Sequence, residues 1–266
     1  MPQHHGPTLA HDDDVRGMPL WVHRIGAADV VDALEKGVED FRAIPTHGVL
    51  VGLFYAIAGL FIVAIAFDYA LLPLVVPLVG GFAMLGPFAA VGFYELSRRR
   101  EAGLETRWWH MAAVFRVRSG GALLGLGFVL AVLFFVWMAL AAVLTQLLLG
   151  DFANGPMALA AALFTTPAGW TLLVLANLTG LVFAVVAFSI SVVAFPLLVD
   201  REVAMVDAAL MSVRVVAASP GPMALWALIV AGLLALGALP ALIGLAVVLP
   251  ILGHATWHLY RKTLVD

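Results

Sequence analysis

His254 and His258 stand four residues apart in the run PILGHATWHLYRK, residues 250–262, so a helix there carries both imidazoles on one face. Paired in that way, their ring nitrogens could ligate a metal ion or a haem iron. His47 begins another apolar stretch and His110 lies in the segment 106–121 that precedes a third, and a fold that brought them to the same depth would assemble four imidazoles. The competing reading treats His254 and His258, beside Trp257, Tyr260 and Arg261, as polar anchors at the edge of an apolar segment. That is the commoner role, and no HExxH or carboxylate spaced for a zinc hydrolase argues against it. The chain has no cysteine, which excludes disulfides, thiolate metal sites and a cysteine nucleophile. No metal or cofactor is therefore expected, the alternative being haem or metal on His254 and His258.

Other polar groups lie inside apolar runs. Glu95 is the only acid within one, but Arg98 and Arg99 follow within a turn and can draw it outward. Thr145 and Gln146, and Asn177 with Thr179, could line a solute path. Hydrogen bonding between helices is their commoner use, at roughly 0.6 kcal/mol per contact. Pro73, Pro77, Gly80, Gly81 and Pro87 would kink their segment, opening a gate or allowing close packing. His4, His5, His11 and Asp12 to Asp14 could hold a metal loosely, although such short tracts are usually just solvated.

The elements that position these residues follow from hydropathy. The chain of 266 residues is 63% hydrophobic and 12% charged, about half the charge of a soluble domain. Six apolar runs account for the deficit: 48–67, 70–96, 121–149, 169–199, 223–236 and 240–260. Each is tested against the roughly 20 residues that cross a bilayer. The third and fourth exceed that length and should tilt or project. The fifth is short, but apolar character extends back to Val215. Residues 1–20 read as a disordered polar tail without the apolar core of a signal peptide, and 21–266 as one transmembrane domain.

Orientation follows from charge. All 14 Lys and Arg fall before Arg42 inclusive, in 98–118, in 201–214 or in the C-terminal tail, and none near Asp68, in 150–168 or in 237–240. Six spans place every basic residue on one side, so the positive-inside rule puts both termini in the cytoplasm of a bacterial inner membrane. Arg98, Arg99, Arg100, Trp108, Trp109, Trp257 and Arg261 would then be interfacial anchors.

Residues 29–45, DVVDALEKGVEDFRAIP, form an amphipathic pattern, with Val30, Val31, Leu34, Val38 and Phe41 on one face and Asp29 able to cap the start. Residues 204–220, AMVDAALMSVRVVAASP, match it at an offset of 175, pairing Val31-Asp32-Ala33 with Val206-Asp207-Ala208, and Pro45 with Pro220. A third stretch, 106–121, occupies the equivalent place before the third run without aligning to the others. The expected fold is all-α: six transmembrane helices as three hairpins, each preceded by a cytoplasmic surface helix. Its repeat units are about 26–97, 106–200 and 203–262.

The segment LLVDREVAMVDAALMSVRVVAASP, with the closing PILGHATWHLYRK, resembles a domain-of-unknown-function family of predicted bacterial integral membrane proteins, over about Trp21 to Lys262. More distantly, Pro196, Asp200, Ala208 and Ser212 are similar to a pattern in the membrane domain of some glycerophosphodiester phosphodiesterases. Both resemblances imply a multi-span helical fold in the inner membrane and neither carries catalytic residues.

No P-loop, GxSxG or usable carboxylate pair is present, and topology explains the basic residues without nucleic acid. The expected function is therefore a non-catalytic membrane protein that contacts lipids or partner proteins. The alternatives are a histidine-based redox accessory protein and a small-solute transporter using the kinked second span, which a water-filled cavity lined by Gln146 and Asn177 would favour.

Overall fold

The computed structural model describes residues 21–44, 53, 57, 59, 60, 84–116, 120–150, 155–240 and 242–265. Most of the first and second expected spans, His47 and the N-terminal tail lie outside these residues. Apart from one short strand pair, every regular element among the described residues is a helix.

Strand β1 (Trp21–Val22) leads into α1 (Ala27–Ala43). The helix starts two residues before the expected cap. Asp29 sits in its first turn and accepts a hydrogen bond from the Gly26 N–H at 2.9 Å, satisfying one free donor from inside the helix. Next come α2 (Gly86–Ala89) and α3 (Val91–Glu101), then α4 (Trp108–Ala113), continued by a 3-10 turn to Arg116. The expected surface helix over 106–121 is thus broken into short pieces.

Helix α5 (Gly120–Leu149) matches the third run. The region 150–168, expected to be a loop, folds as α6 (Gly155–Thr165) and turns sharply at Thr166 into α7 (Pro167–Ser191). Thr166 Oγ1 caps α7 by accepting from Gly169 N–H at 3.0 Å, and Pro167 supplies the fixed φ of a first helical position. The fourth run bends at Val192–Val193 and resumes as α8 (Ala194–Asp200). Pro196 lacks the N–H that would bond Val192 four residues back, so the ladder breaks there. The Val193 N–H finds Ser212 Oγ instead, at 3.1 Å.

Ser212 belongs to α9 (Met205–Ala218), followed by α10 (Pro220–Ala238), α11 (Leu245–Thr263) and strand β2 (Leu264–Val265). Strands β1 and β2 pair antiparallel, Trp21 with Val265, so both described ends of the chain meet at one edge of the helical body. Gly120–Leu149, Pro167–Asp200 and Pro220–Ala238 are each long and apolar enough to cross a membrane. Helix α11, the expected sixth span, starts five residues later than its apolar run and does not meet that test among the described residues. It carries Arg261 and Lys262 and buries much of its surface in protein.

Helix α1 lies along α11. Its buried face is Val30, Ala33, Gly37 and Asp40, while Val31 is exposed. The broader apolar side chains flank the contact and the small ones form it. A Cβ on Gly37 would stand 2.6 Å from the Ala255 backbone nitrogen, so only glycine permits this approach. Helix α9 packs on α7 and α8 through Ala208, Ser212 and Val215, which fall 175 positions after Ala33, Gly37 and Asp40. Helix α4 in turn packs on α3.

Candidate functional site

Three helices converge on one carboxylate. Asp40 ends the small-residue face of α1, one turn after Gly37, so the close approach to α11 carries its side chain into the protein, 4% exposed. Helix α3 contributes Ser97 and Arg100, and α11 contributes His254 and His258. The α3–α11 contact is also made by a glycine, since a Cβ on Gly253 would stand 2.7 Å from the Phe93 Cβ.

Ser97 Oγ donates to Asp40 Oδ2 at 2.5 Å, and His258 Nε2 lies 2.9 Å from the same oxygen. Arg100 Nη1 pairs with Oδ1. Ser97 Oγ is also 2.7 Å from His254 Nδ1, and the His254 ring is fully buried beside Phe93. A carboxylate has no hydrogen to give, so each of these partners must donate to Asp40. Burial works against its ionisation. The hydrogen bonds from His258 and Ser97, with a smaller electrostatic share from the His258 ring, outweigh burial and hold the carboxyl below its ordinary value of 3.8. A cavity of about 350 Å³, lined by Lys36, Glu39, Asp40, Ser97, Arg100 and His258 among others, opens beside the group.

A second set of contacts continues the same end of the molecule. Trp257 Nε1 donates to Glu101 Oε2 at 3.0 Å and Arg261 Nε to Glu101 Oε1 at 3.2 Å. Tyr260 donates to Asp200 Oδ2 at 2.7 Å. Trp257 is therefore enclosed by protein, with its one polar atom satisfied by α3. Glu95 is held by Arg98 through two parallel bonds of 2.8 and 2.9 Å, with Arg99 at 3.6 Å. Such a fork neutralises the one acid of its apolar run.

The remaining candidate residues stand apart from this cluster. His110 Nδ1 accepts from the Arg107 backbone N–H at 3.1 Å on α4. Trp108 and Trp109 on that helix are exposed, with the Arg107 guanidinium 4.8 Å over the Trp109 ring. Gln146 lies on the exposed side of α5, and Asn177 is exposed on α7, donating to its own helix at Leu173 O at 2.7 Å. His254 and His258 do converge, but on Asp40 rather than on an open centre. Among the described residues no three His, Asp or Glu side chains are arranged to hold a metal.

Sequence reasoning did not single out Asp40 or Ser97. Asp40 reads as one more charge on the polar side of an amphipathic helix. The signal that finds it is Ala33 and Gly37, spaced i, i+4, which mark the real packing face; Asp40 continues that face. Ser97 looks like the polar end of an apolar run.

Nor is the cluster built for nucleophilic attack. A serine nucleophile gives its proton to a histidine that a carboxylate orients from the far nitrogen. Here Ser97 sits between the carboxylate and the histidine, its hydrogen is directed to Asp40, and Asp40 is also tied to Arg100. The arrangement clamps α1, α3 and α11 together.

Residues 75–200 match a family described as Predicted integral membrane protein (DUF2189). No curated protein and no solved structure matches the chain. The matched segment spans α2 to α8, including Ser97 and Arg100 and two of the helices long enough to cross a membrane. The likeness to the phosphodiesterase membrane domain gains no support. Within this fold Ser212 and Asp200 serve packing contacts, to Val193 N–H and the Tyr260 hydroxyl.

Proposed function

We propose that this integral membrane protein is non-catalytic and acts by binding phospholipid against helices at its cytoplasmic face. The observation that carries this reading is a groove of about 250 Å³ between α5, α7 and α9, lined wholly by apolar side chains, among them Leu126, Ile190, Met205, Ala209 and Leu210. Its volume is below the roughly 300–1,000 Å³ of small-molecule sites, which suits part of one hydrocarbon chain better than a compact metabolite. Val206, Leu210 and Val213 continue as an exposed apolar stripe along α9. Arg214 lies one turn beyond Leu210 on that face, placed to meet a phosphate.

Orientation in this reading follows the basic residues. The pairing of β1 with β2 supports it, since both ends leave the helical body together, as an even number of crossings requires. The shared spacing of Ala33, Gly37 and Asp40 with Ala208, Ser212 and Val215 supports a repeated unit of surface helix and hairpin. In that scheme α1 packs on the last hairpin as α9 packs on the one before it. The Asp40 cluster is then the clamp that holds α1 in place.

Native mass spectrometry of protein released from mild detergent tests the reading. One phospholipid should persist per chain at collision energies that strip weakly held lipid, and Ala209→Trp, which fills the groove, should lose it. Equal retention by both proteins would refute the groove. A visible-light chromophore removed by His258→Ala would favour the redox alternative instead.

A further inference from the structure

We propose that His254 Nε2 is a proton-accepting site, kept in its basic form by Asp40 acting through Ser97. Ser97 has a single hydroxyl hydrogen and two neighbours, Asp40 Oδ2 at 2.5 Å and His254 Nδ1 at 2.7 Å. Ionised Asp40 can only accept, so the hydroxyl hydrogen points to it and the serine oxygen must accept from the ring. Nδ1 therefore carries the ring proton, and in a neutral imidazole Nε2 is left with a bare lone pair.

That atom is buried and has no hydrogen-bond partner among the described residues, although its ring is fully enclosed. Nearly all buried polar atoms are paired, so an exception calls for an explanation, and a group kept free to react is one. The task this geometry permits is taking up a proton. A proton arriving at Nε2 makes the ring an imidazolium. The ring then passes its Nδ1 proton to Ser97 Oγ while Ser97 passes its own to Asp40 Oδ2. Asp40, now a carboxylic acid, releases that proton into the cavity beside Arg100 and His258. One proton has moved from Nε2 to the cavity, His254 is left as the Nε2–H tautomer, and no oxidant or reductant is consumed.

The charged groups around the path favour release at the cavity end. Arg100 from α3 and His258 from α11 both bond Asp40 and favour its ionised form. Lys36 and Glu39 from α1, and Glu101 from α3, line the same cavity, where a released proton would meet water. At the buried end the Phe93 ring packs against the imidazole.

Nitrogen-15 NMR of histidine-labelled full-length protein in lipid nanodiscs tests the assignment, with His254→Gln identifying the signal. The wild-type ring should show a protonated Nδ1 and a bare Nε2. In Asp40→Asn the amide NH2 replaces an acceptor beside Ser97, the hydroxyl turns to donate to Nδ1, and the ring should switch to Nε2–H. Ser97→Ala keeps the Asp40 pairs with Arg100 and His258 and should give a mixture of tautomers. It decides the question even where Asp40→Asn does not fold. An Nε2–H ring in the wild type, or an unchanged ring in either variant, would overturn the proposal.

Discussion

Replacing Gly37 with alanine adds one methyl group where α1 crosses α11. The new Cβ would lie 2.6 Å from the Ala255 nitrogen and Cβ and 2.8 Å from its Cα. All three atoms belong to the rigid frame of a helix, so no side-chain rotation relieves the clash and α1 must lift by roughly 1 Å to restore van der Waals contact. Asp40 lies one turn further along the same face. The same displacement would stretch its 2.9 Å contact with His258 beyond hydrogen-bond range. Overpacking costs about 1–3 kcal/mol and each weakened bond about 1 kcal/mol. The gain in helix propensity returns about 1 kcal/mol. A net loss of about 2 kcal/mol should lower the midpoint of thermal unfolding by about 4–8 °C, measured by near-ultraviolet circular dichroism in detergent. Gly232→Ala is the control, because a Cβ there meets nothing within 4 Å inside a helix. Its midpoint should stay level or rise. Equal midpoints for Gly37→Ala and wild type would refute the close contact between α1 and α11.

Other substitutions and conditions probe separate contacts. Asp40→Ala leaves Ser97, His258 and Arg100 without their shared acceptor and should destabilise by about 3 kcal/mol in chemical or thermal unfolding. The outer part of Arg100 can be rehydrated, which limits the loss. Because the carboxyl of Asp40 is held below its ordinary 3.8, its stabilising share is complete above that pH and lost as acid protonates the folded form. Unfolding midpoints should therefore fall as pH drops below about 4, and more steeply in the wild type than in Asp40→Asn. Ser219→Ala removes the acceptor of the buried Ile25 N–H, bonded at 3.1 Å, and should cost about 1–2 kcal/mol in the same unfolding assay. A loss no greater than that of an exposed control would show that water reaches that N–H.

Much of the architecture was legible because hydropathy reports it directly. The helix over 120–149 follows the uncharged run from Gly121 to Leu149 almost residue for residue. The two amphipathic stretches form helices within two residues of their expected ends, Ala27–Ala43 and Met205–Ala218. Less legible was anything decided by backbone approach. Apolar moment put Val31 and Phe41 on the inward face of α1, yet Gly37 and Ala33 set the contact, since small side chains let two helices close on each other. Helix α6 is not legible in the sequence because 150–168 reads as the connection between two apolar runs, and its Ala-rich run carries no periodic polar mark. The bend at Val192 needed two signals read together, Pro196 and the hydroxyl of Ser212 nineteen residues away from the N–H it serves. The candidate site was half visible: the spacing of His254 and His258 showed a shared face, while their common partner Asp40 lies more than two hundred residues earlier in the chain.

The absence of cysteine allows the docking of α1 and its cytoplasmic placement to be tested in one experiment. Asp29 and Lys262 meet across α1 and α11, 3.3 Å apart at their polar atoms. Cysteines at these two positions should be joined by a short, membrane-impermeant dithiol-reactive reagent in inside-out vesicles and left unlinked in intact cells. Introducing Gly37→Leu into the same protein should abolish the link. Linkage from the outside of intact cells would contradict the orientation, and no linkage in either preparation would contradict the docked helix on which the account depends.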